Sequence, residues 1–435
     1  MYKYILLLLF TFFQTEIYSE EREVQSCKPP WDVYTLTECA INMHPSYKLE
    51  LYRTKEMQGR KKIAEYFFPS NPIVGGSLAS RRGSVDSTNL SGGGSFNQAT
   101  NFQLLVSQEI FVGGKREKAM QIADEEFRSQ IFRLETIRRS IYFSSLSNLV
   151  RFQNAKKEEL LSQELYQLSQ KLTTIARARV KEGISPGIDE SLSESEELRM
   201  AKVWKNSIRK AEQTKGELNL LLSQSQNMEM DWNPTFNLYL ELSDDKDSLL
   251  SLALENRPEI KLTEKDIKLA LLRYEEVRLQ KVSNISVGAF VQNDGFNERV
   301  IGGQISLPLV VWRDFEGESL IARSKSEQSF ETRDLVSRTV KQEVIQALSN
   351  YLTLKEELAF YDQRLLDRTS NDISNLTEAL RMGKIRVIDA INNQRILVQT
   401  KLNYLQTKSD FELAQIELIR ALGLPEGKLV IRDKL

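Results

Sequence analysis

Residues 285–309 read ISVGAFVQNDGFNERVIGGQISLPL. In an extended chain Ile285, Val287, Ala289 and Val291 fall on one face, opposite Ser286, Gly288, Phe290 and Gln292. After a polar loop, Ile301, Gly303, Ile305 and Leu307 again share a face, opposite Val300, Gly302, Gln304 and Ser306. A period of two is the mark of strands. One apolar and one wetter face suit a hairpin that crosses lipid as part of a barrel. Upstream, Phe102, Leu104 and Val106 alternate with Gln103, Leu105 and Ser107, and Ile73 to Ser80 carries a weaker alternation across the polar loop Arg81 to Thr100. Two hairpins give four strands, too few to close a barrel, and open edges are not tolerated in lipid. Several chains must therefore pool their strands.

The flanking sequence is helical. No Gly or Pro occurs from Lys115 to Glu182, from Glu318 to Met382 or from Lys384 to Leu422. At ~1.5 Å per residue the first two runs make rods of roughly 100 Å. Apolar residues recur at steps of three and four, as in Phe127, Ile131 and Leu134, or Val398, Leu402 and Leu405, while the remaining surface is Lys, Arg, Glu, Gln and Ser. A narrow seam on a wet helix is the coiled-coil pattern.

The layout occurs twice. Ala40 to Lys48 parallels Ala253 to Lys261, Ser107 to Val112 parallels Ser306 to Val311, and Gly183 with Ile188-Asp189 parallels Gly383 with Ile388-Asp389. Glu217-Leu218 likewise parallels Glu417-Leu418. The organisation expected is a first repeat over 35–225 (helix Thr35 to Tyr66, hairpin about 70–109, long helices) and a linker over 226–246. A second repeat follows over 247–424 (helix Asp247 to Lys281, hairpin about 284–308, long helices), then a tail over 425–435.

Lys3 and the apolar run Ile5 to Phe13 read as a secretory signal over 1–19, followed by a periplasmic segment over 20–34. The run is too short to span a bilayer as a helix. In an exported chain the two cysteines, Cys27 and Cys39, suit a disulfide. The other reading is lipid attachment at Cys27, against which Glu20-Glu21-Arg22-Glu23 separates it from the apolar run. The 59 basic and 60 acidic residues nearly cancel, which removes any long-range attraction to nucleic acid. His44 is the only histidine and lacks a cluster for a metal. No phosphate loop or nucleophile elbow is present, and the carboxylates read as solvated helix faces, so neither an enzyme nor a cofactor is expected.

From about Thr35 to Leu424 the chain resembles the TolC-type outer-membrane efflux family. The resemblance rests on Phe68-Pro69 and Leu307-Pro308-Leu309 at strand ends, Ile110-Phe111-Val112-Gly113-Gly114-Lys115-Arg116 at a strand-to-helix junction, and Gly383-Lys384-Ile385-Arg386-Val387-Ile388-Asp389-Ala390 at a turn. It implies a mainly α homotrimer with a small β part: antiparallel coiled coils forming a periplasmic α-barrel, and four strands per subunit in a shared twelve-stranded outer-membrane barrel. The implied function is a passive exit duct of a tripartite efflux or type I secretion system. Its implied partners are a periplasmic adaptor, an inner-membrane pump and outer-membrane lipid. Gly183, Ile184, Gly383 and Lys384 would form hairpin tips that meet the adaptor.

Asp389 would ring the periplasmic aperture or simply be a solvated helix aspartate. Arg386 would pair with a carboxylate on a neighbouring helix or have no fixed partner. Asn392 stands where the family often has a second aspartate. The rival readings are a periplasmic adaptor and a coiled-coil scaffold without a barrel, neither of which needs four hairpin strands in a duplicated layout.

Overall fold

The computed structural model describes residues 33–81, 99–222, 236–239, 245–293, 299–361, 372, 375–424 and 430–433. The first repeat contains α1 (Val33–Met43), α2 (Pro45–Ala64), β1 (Ile73–Arg81), β2 (Ala99–Ile110), α3 (Lys115–Lys181) and α4 (Gly187–Leu221). A short strand, β3 (Phe236–Tyr239), follows. The second repeat contains α5 (Lys246–Asn256), α6 (Pro258–Gln280), β4 (Ile285–Asn293), β5 (Arg299–Ser306), α7 (Glu316–Ala359), α8 (375–381) and α9 (Val387–Leu422), and β6 (Val430–Asp433) ends the described chain. The expected signal over 1–19, most of the 20–34 segment, Cys27 and hence its pairing with Cys39 lie outside the described residues.

Each helix expected to open a repeat is broken in two. Pro45 and Pro258 start new helices, where a missing N–H costs no hydrogen bond. The residue before each is pushed into extended backbone, His44 at φ −66°, ψ 127° and Arg257 at φ −66°, ψ 126°. The matching angles are the duplication seen in the backbone. His44 caps the second of these helices through its side chain, Nδ1 accepting the Ser46 N–H at 3.2 Å.

The 67 residues of α3 form one uninterrupted helix, roughly 100 Å long. The second rod differs from its expectation. Helix α7 ends at Ala359 although neither Gly nor Pro is near, and the Tyr361 ring packs against Tyr404 of α9 with centroids 5.6 Å apart.

Helix α3 organises the bundle. It packs against α2 and α6 in one half and against α4 and α9 in the other, while α6 and α9 also pack on α7. The thickest core lies where the halves meet. There Leu36 and Ile41 of α1, Phe143, Leu146 and Leu149 of α3, Leu218, Val344 of α7, and Ile416 and Leu422 of α9 are all buried. Towards the tips only two small clusters remain, one around Leu165, Met200 and Val398 and one around Leu172, Leu380 and Ile391. Narrow seams cannot bury more than this.

The four long strands form one antiparallel sheet in the order β1-β2-β4-β5. The repeats join through β2 and β4, from Ile110 opposite Ile285 to Phe102 opposite Asn293. Residues directly opposite each other share a face, so the register sorts the sheet. One face carries Val74, Gly76 and Leu78; Phe102, Leu104, Val106 and Ile110; Val287, Ala289 and Val291; and Ile301, Gly303 and Ile305. It is mostly apolar across all four strands, with Gln108 in the row of Val287 and Ser80, Thr100, Asn293 and Arg299 towards the loops, and it is exposed, Leu78 at 82% and Ile301 at 79%. The opposite face carries Ser77, Gln103, Ser107, Glu109, Ser286, Gln292, Gln304 and Ser306 among its residues. Strands β3 and β6, within the expected linker and tail, pair antiparallel as a second sheet.

Gly423 closes α9 in the left-handed region at φ +68°, and a Cβ there would lie 2.9 Å from Arg257 Cγ and 3.0 Å from its backbone nitrogen. Arg257 is buried and pairs with Glu259 and with Glu343 of α7. Gly423→Ala is expected to destabilise the fold by about 2 kcal/mol through the strained φ and the displaced Arg257 backbone. A lower guanidinium midpoint of the helical circular dichroism in detergent would register it, and an unchanged midpoint would refute it.

Candidate functional site

Two regions are built from residues that a compact core would not need. The first is the sheet. Its apolar face has no cover among the described residues, and β1 and β5 each leave one edge unpaired within this chain. The strands of 9, 12, 9 and 8 residues match the length that a tilted membrane strand requires, roughly 9–11 residues. No described helix is long and apolar enough to cross a membrane.

The second region is the far end of the bundle, where both repeats turn. Gly183 at φ +71° and Gly383 at φ +72° adopt the same left-handed turn. Gly183 N–H donates to Val180 O at 3.0 Å and Ile184 N–H to Arg179 O at 2.8 Å; Gly383 and Lys384 N–H donate likewise to Leu380 O at 3.1 Å and Ala379 O at 2.9 Å. This double bond is the Schellman cap, which satisfies the last carbonyls of a helix. Gly183, Ile184, Gly383 and Lys384 are all exposed. The tips are fastened together, since Arg179 of the first donates from Nη1 to Leu380 O of the second at 2.8 Å. Val387, Ala390 and Ile391 pack beneath against Leu172 and Ala176.

Arg386 and Asp389 meet, though not as expected. Arg386 is the N-cap residue of α9, and it forms a two-pronged pair with Asp389 on its own helix, Nε to Oδ2 at 2.8 Å and Nη2 to Oδ1 at 3.1 Å. The expectation was a carboxylate on another helix or no partner; a spacing of three residues on a helix decides otherwise. The hydrogen bond from Arg386, and then its charge, hold the Asp389 carboxyl below the usual carboxylate range. The Arg386 guanidinium is raised by the Asp389 hydrogen bond and charge, with a further contribution from Asp189. Asp189, in the first turn of α4, is the repeat counterpart of Asp389 and is buried. Its place in the duplicated Ile-Asp pair was the signal that marked it. Asn392 is exposed one turn beyond Asp389.

A further clamp had no sequence signal. Glu196 of α4 is only 2% exposed yet holds two arginines, Arg199 on its own helix at 2.6 Å and Arg395 of α9 at 2.9 Å. Burial raises its pKa, but the hydrogen bonds and charges of Arg199 and Arg395 outweigh burial and hold the carboxyl below its usual range. Among the described residues no group of His, Cys, Asp or Glu is arranged to hold a metal ion.

Comparison with known proteins gives a consistent relation. Residues 249–424 match the model of the family described as outer membrane efflux protein. No curated protein sequence matches the chain. Among solved structures, the CmeC outer membrane channel of Campylobacter jejuni is similar at a TM-score of 0.71 and 16% identity, over 90% of this chain and 85% of that one. The outer membrane protein VceC of Vibrio cholerae gives 0.68 and 16%, over 90% and 96%. The MtrE outer membrane channel of Neisseria gonorrhoeae, in its open state, gives 0.67 and 14%, over 90% and 89%.

Because the folded pKa of Glu196 is depressed, its contribution is present above the ordinary carboxylate range, near 4.3, and is lost as pH falls through the lower folded value. Glu196→Gln should remove that contribution at neutral pH, by about 1 kcal/mol once solvent screening of the half-exposed arginines is allowed for. Amide exchange of 193–200 and 391–398 would then be about fivefold faster than wild type at pH 7 and equal to it under acid. Equal exchange at pH 7 would show that the clamp does not hold α4 to α9.

Proposed function

We propose that this chain, whose residues 249–424 match the model of the outer membrane efflux protein family, is the exit duct of a tripartite efflux or type I secretion system. Its place is the outer membrane, with a large periplasmic part. The observation that carries the reading is the sheet: four strands of near-membrane length, one face predominantly apolar, both edges open within this chain. In lipid each unpaired backbone group is costly, so the edge of β5 must find the edge of β1 on another copy. Three copies would close a barrel of twelve strands, and the helical layer beneath would continue it as a periplasmic tube.

Within this reading the polar sheet face and the helices enclose water, and cargo passes without chemical change. The Schellman tips, with Ile184 and Lys384 exposed, are the surface offered to a periplasmic adaptor, which joins the duct to an inner-membrane pump. The Arg386–Asp389 pairs stand where the tube narrows. A periplasmic adaptor or a scaffold protein would have no use for an exposed, mainly apolar four-stranded face.

The purified protein is expected to require detergent, to run as a trimer, and to conduct ions across planar bilayers. A folded monomer that is soluble without amphiphile would end the proposal. Each Arg386–Asp389 pair is neutral, so removing one partner exposes the other at the aperture. Asp389→Ala should therefore shift the reversal potential in a salt gradient towards anions and Arg386→Ala towards cations. Unshifted potentials in both variants would remove these residues from the narrow part of the conductive path.

A further inference from the structure

The wet face of the sheet is mainly polar, but one row sets two large apolar side chains next to each other. Directly opposed residues form cross-strand rows, and one row reads Gly75, Leu105, Phe290, Gly302. On one side of it lie Ser77, Gln103, Gln292 and Val300; on the other lie Ile73, Ser107, Gly288 and Gln304, with Glu109, Ser286 and Ser306 beyond. Two large apolar side chains thus sit side by side at mid-height of a face otherwise dominated by amides and hydroxyls.

Their posture is set by glycine. A Cβ on Gly302 would lie 2.5 Å from Phe290 Cζ, 2.8 Å from Cε1 and 3.3 Å from Cε2, so the tip of the ring occupies the space that only a glycine leaves there. A Cβ on Gly288 would lie 3.2 Å from Leu105 Cδ1 and 2.9 Å from Val106 O. Both apolar groups therefore pack over glycines of the neighbouring strand. The face of a phenyl ring attracts cations. Among the described side chains on the wet face, Glu109 is the only charged one, held by Asn284 Nδ2 at 2.8 Å and Ser70 Oγ at 3.4 Å, with no described cation paired to it.

We propose that Leu105 and Phe290, with Glu109 below them, form a lumenal subsite that selects organic cations bearing an apolar chain. It rests on the reading that this face lines the duct. In a trimer the subsite recurs three times around the lumen as an apolar belt above a ring of carboxylates. The carboxylates concentrate cationic cargo at the barrel base, and the belt then holds its hydrocarbon part while amides on either side stay hydrated. Small ions pass with little contact.

The test is block of single-channel current by n-alkyltrimethylammonium ions of increasing chain length. In wild type, affinity should rise about twofold per methylene, half the value for full burial of a CH₂. Phe290→Ser should flatten that dependence, and Phe290→Leu, which keeps the belt apolar, should retain it. Glu109→Gln should weaken block by every member alike without changing the slope. Gln304→Lys places a charge on the same face and separates the two levels of the argument. If it leaves ion selectivity unchanged, the face does not line the duct and the functional reading falls with the subsite. If it shifts selectivity while Phe290→Ser keeps the wild-type slope, the subsite alone is refuted and Phe290 serves only to cover Gly302.

Discussion

A backbone amide in hydrocarbon must be hydrogen-bonded, and this chain meets that demand only partway. Strands β1, β2, β4 and β5 satisfy one another inside the sheet, but the outer edges of β1 and β5 do not. No rearrangement within one chain closes so short a sheet, since a closed barrel needs more strands than four. The remaining groups must be satisfied by another copy. The rest of the architecture is consistent with this: helices long enough to reach far from the sheet, and seams too narrow to be buried without neighbours.

Stability is distributed unevenly along the length. The apolar core is thick where the short helices α1 and α5 wedge against α3, α7 and α9. Towards the tips it thins to small clusters, and buried polar groups take a larger share. Gln394 is fully buried between the two clusters, and neither its amide nitrogen nor its oxygen has a partner. Buried polar groups of this kind cost stability and make one packing arrangement less dominant over others. The ionic clamp at Glu196 and the Arg179 bond to Leu380 O therefore carry more of the load there than similar contacts would near the core.

Much of this was legible in the sequence. The alternation around Ile285 to Leu307 assigned both sheet faces correctly, because a period of two leaves no freedom once the register is fixed. Strand β1 was weaker, since Gly75 and Gly76 contribute no side chain to the pattern, and it becomes clear only through its pairing with β2. Helix α3 was readable from the absence of breakers; the end of α7 was not, because neither glycine nor proline marks it. Strands β3 and β6 are four residues each and exist only through a long-range pairing. At the tips, the glycine caps and Asp389 stood out, yet the partner of Arg386 lay three residues away and was sought further off. Glu196 and Arg395 are 199 residues apart, with nothing local to link them.

The duplication is close in backbone and unequal in charge. Both turns share the same glycine cap, but Pro186 stands at the start of α4 where Arg386 stands at the start of α9. Three subunits would thus present six nearly equivalent lobes at the inner mouth, alternately with and without a guanidinium at the cap of the returning helix. A partner reading shape alone would find six interchangeable seats, whereas one reading charge would find three of each kind. The electrostatic symmetry of the mouth is half its geometric symmetry, and the orientation of whatever docks there can be set by that difference.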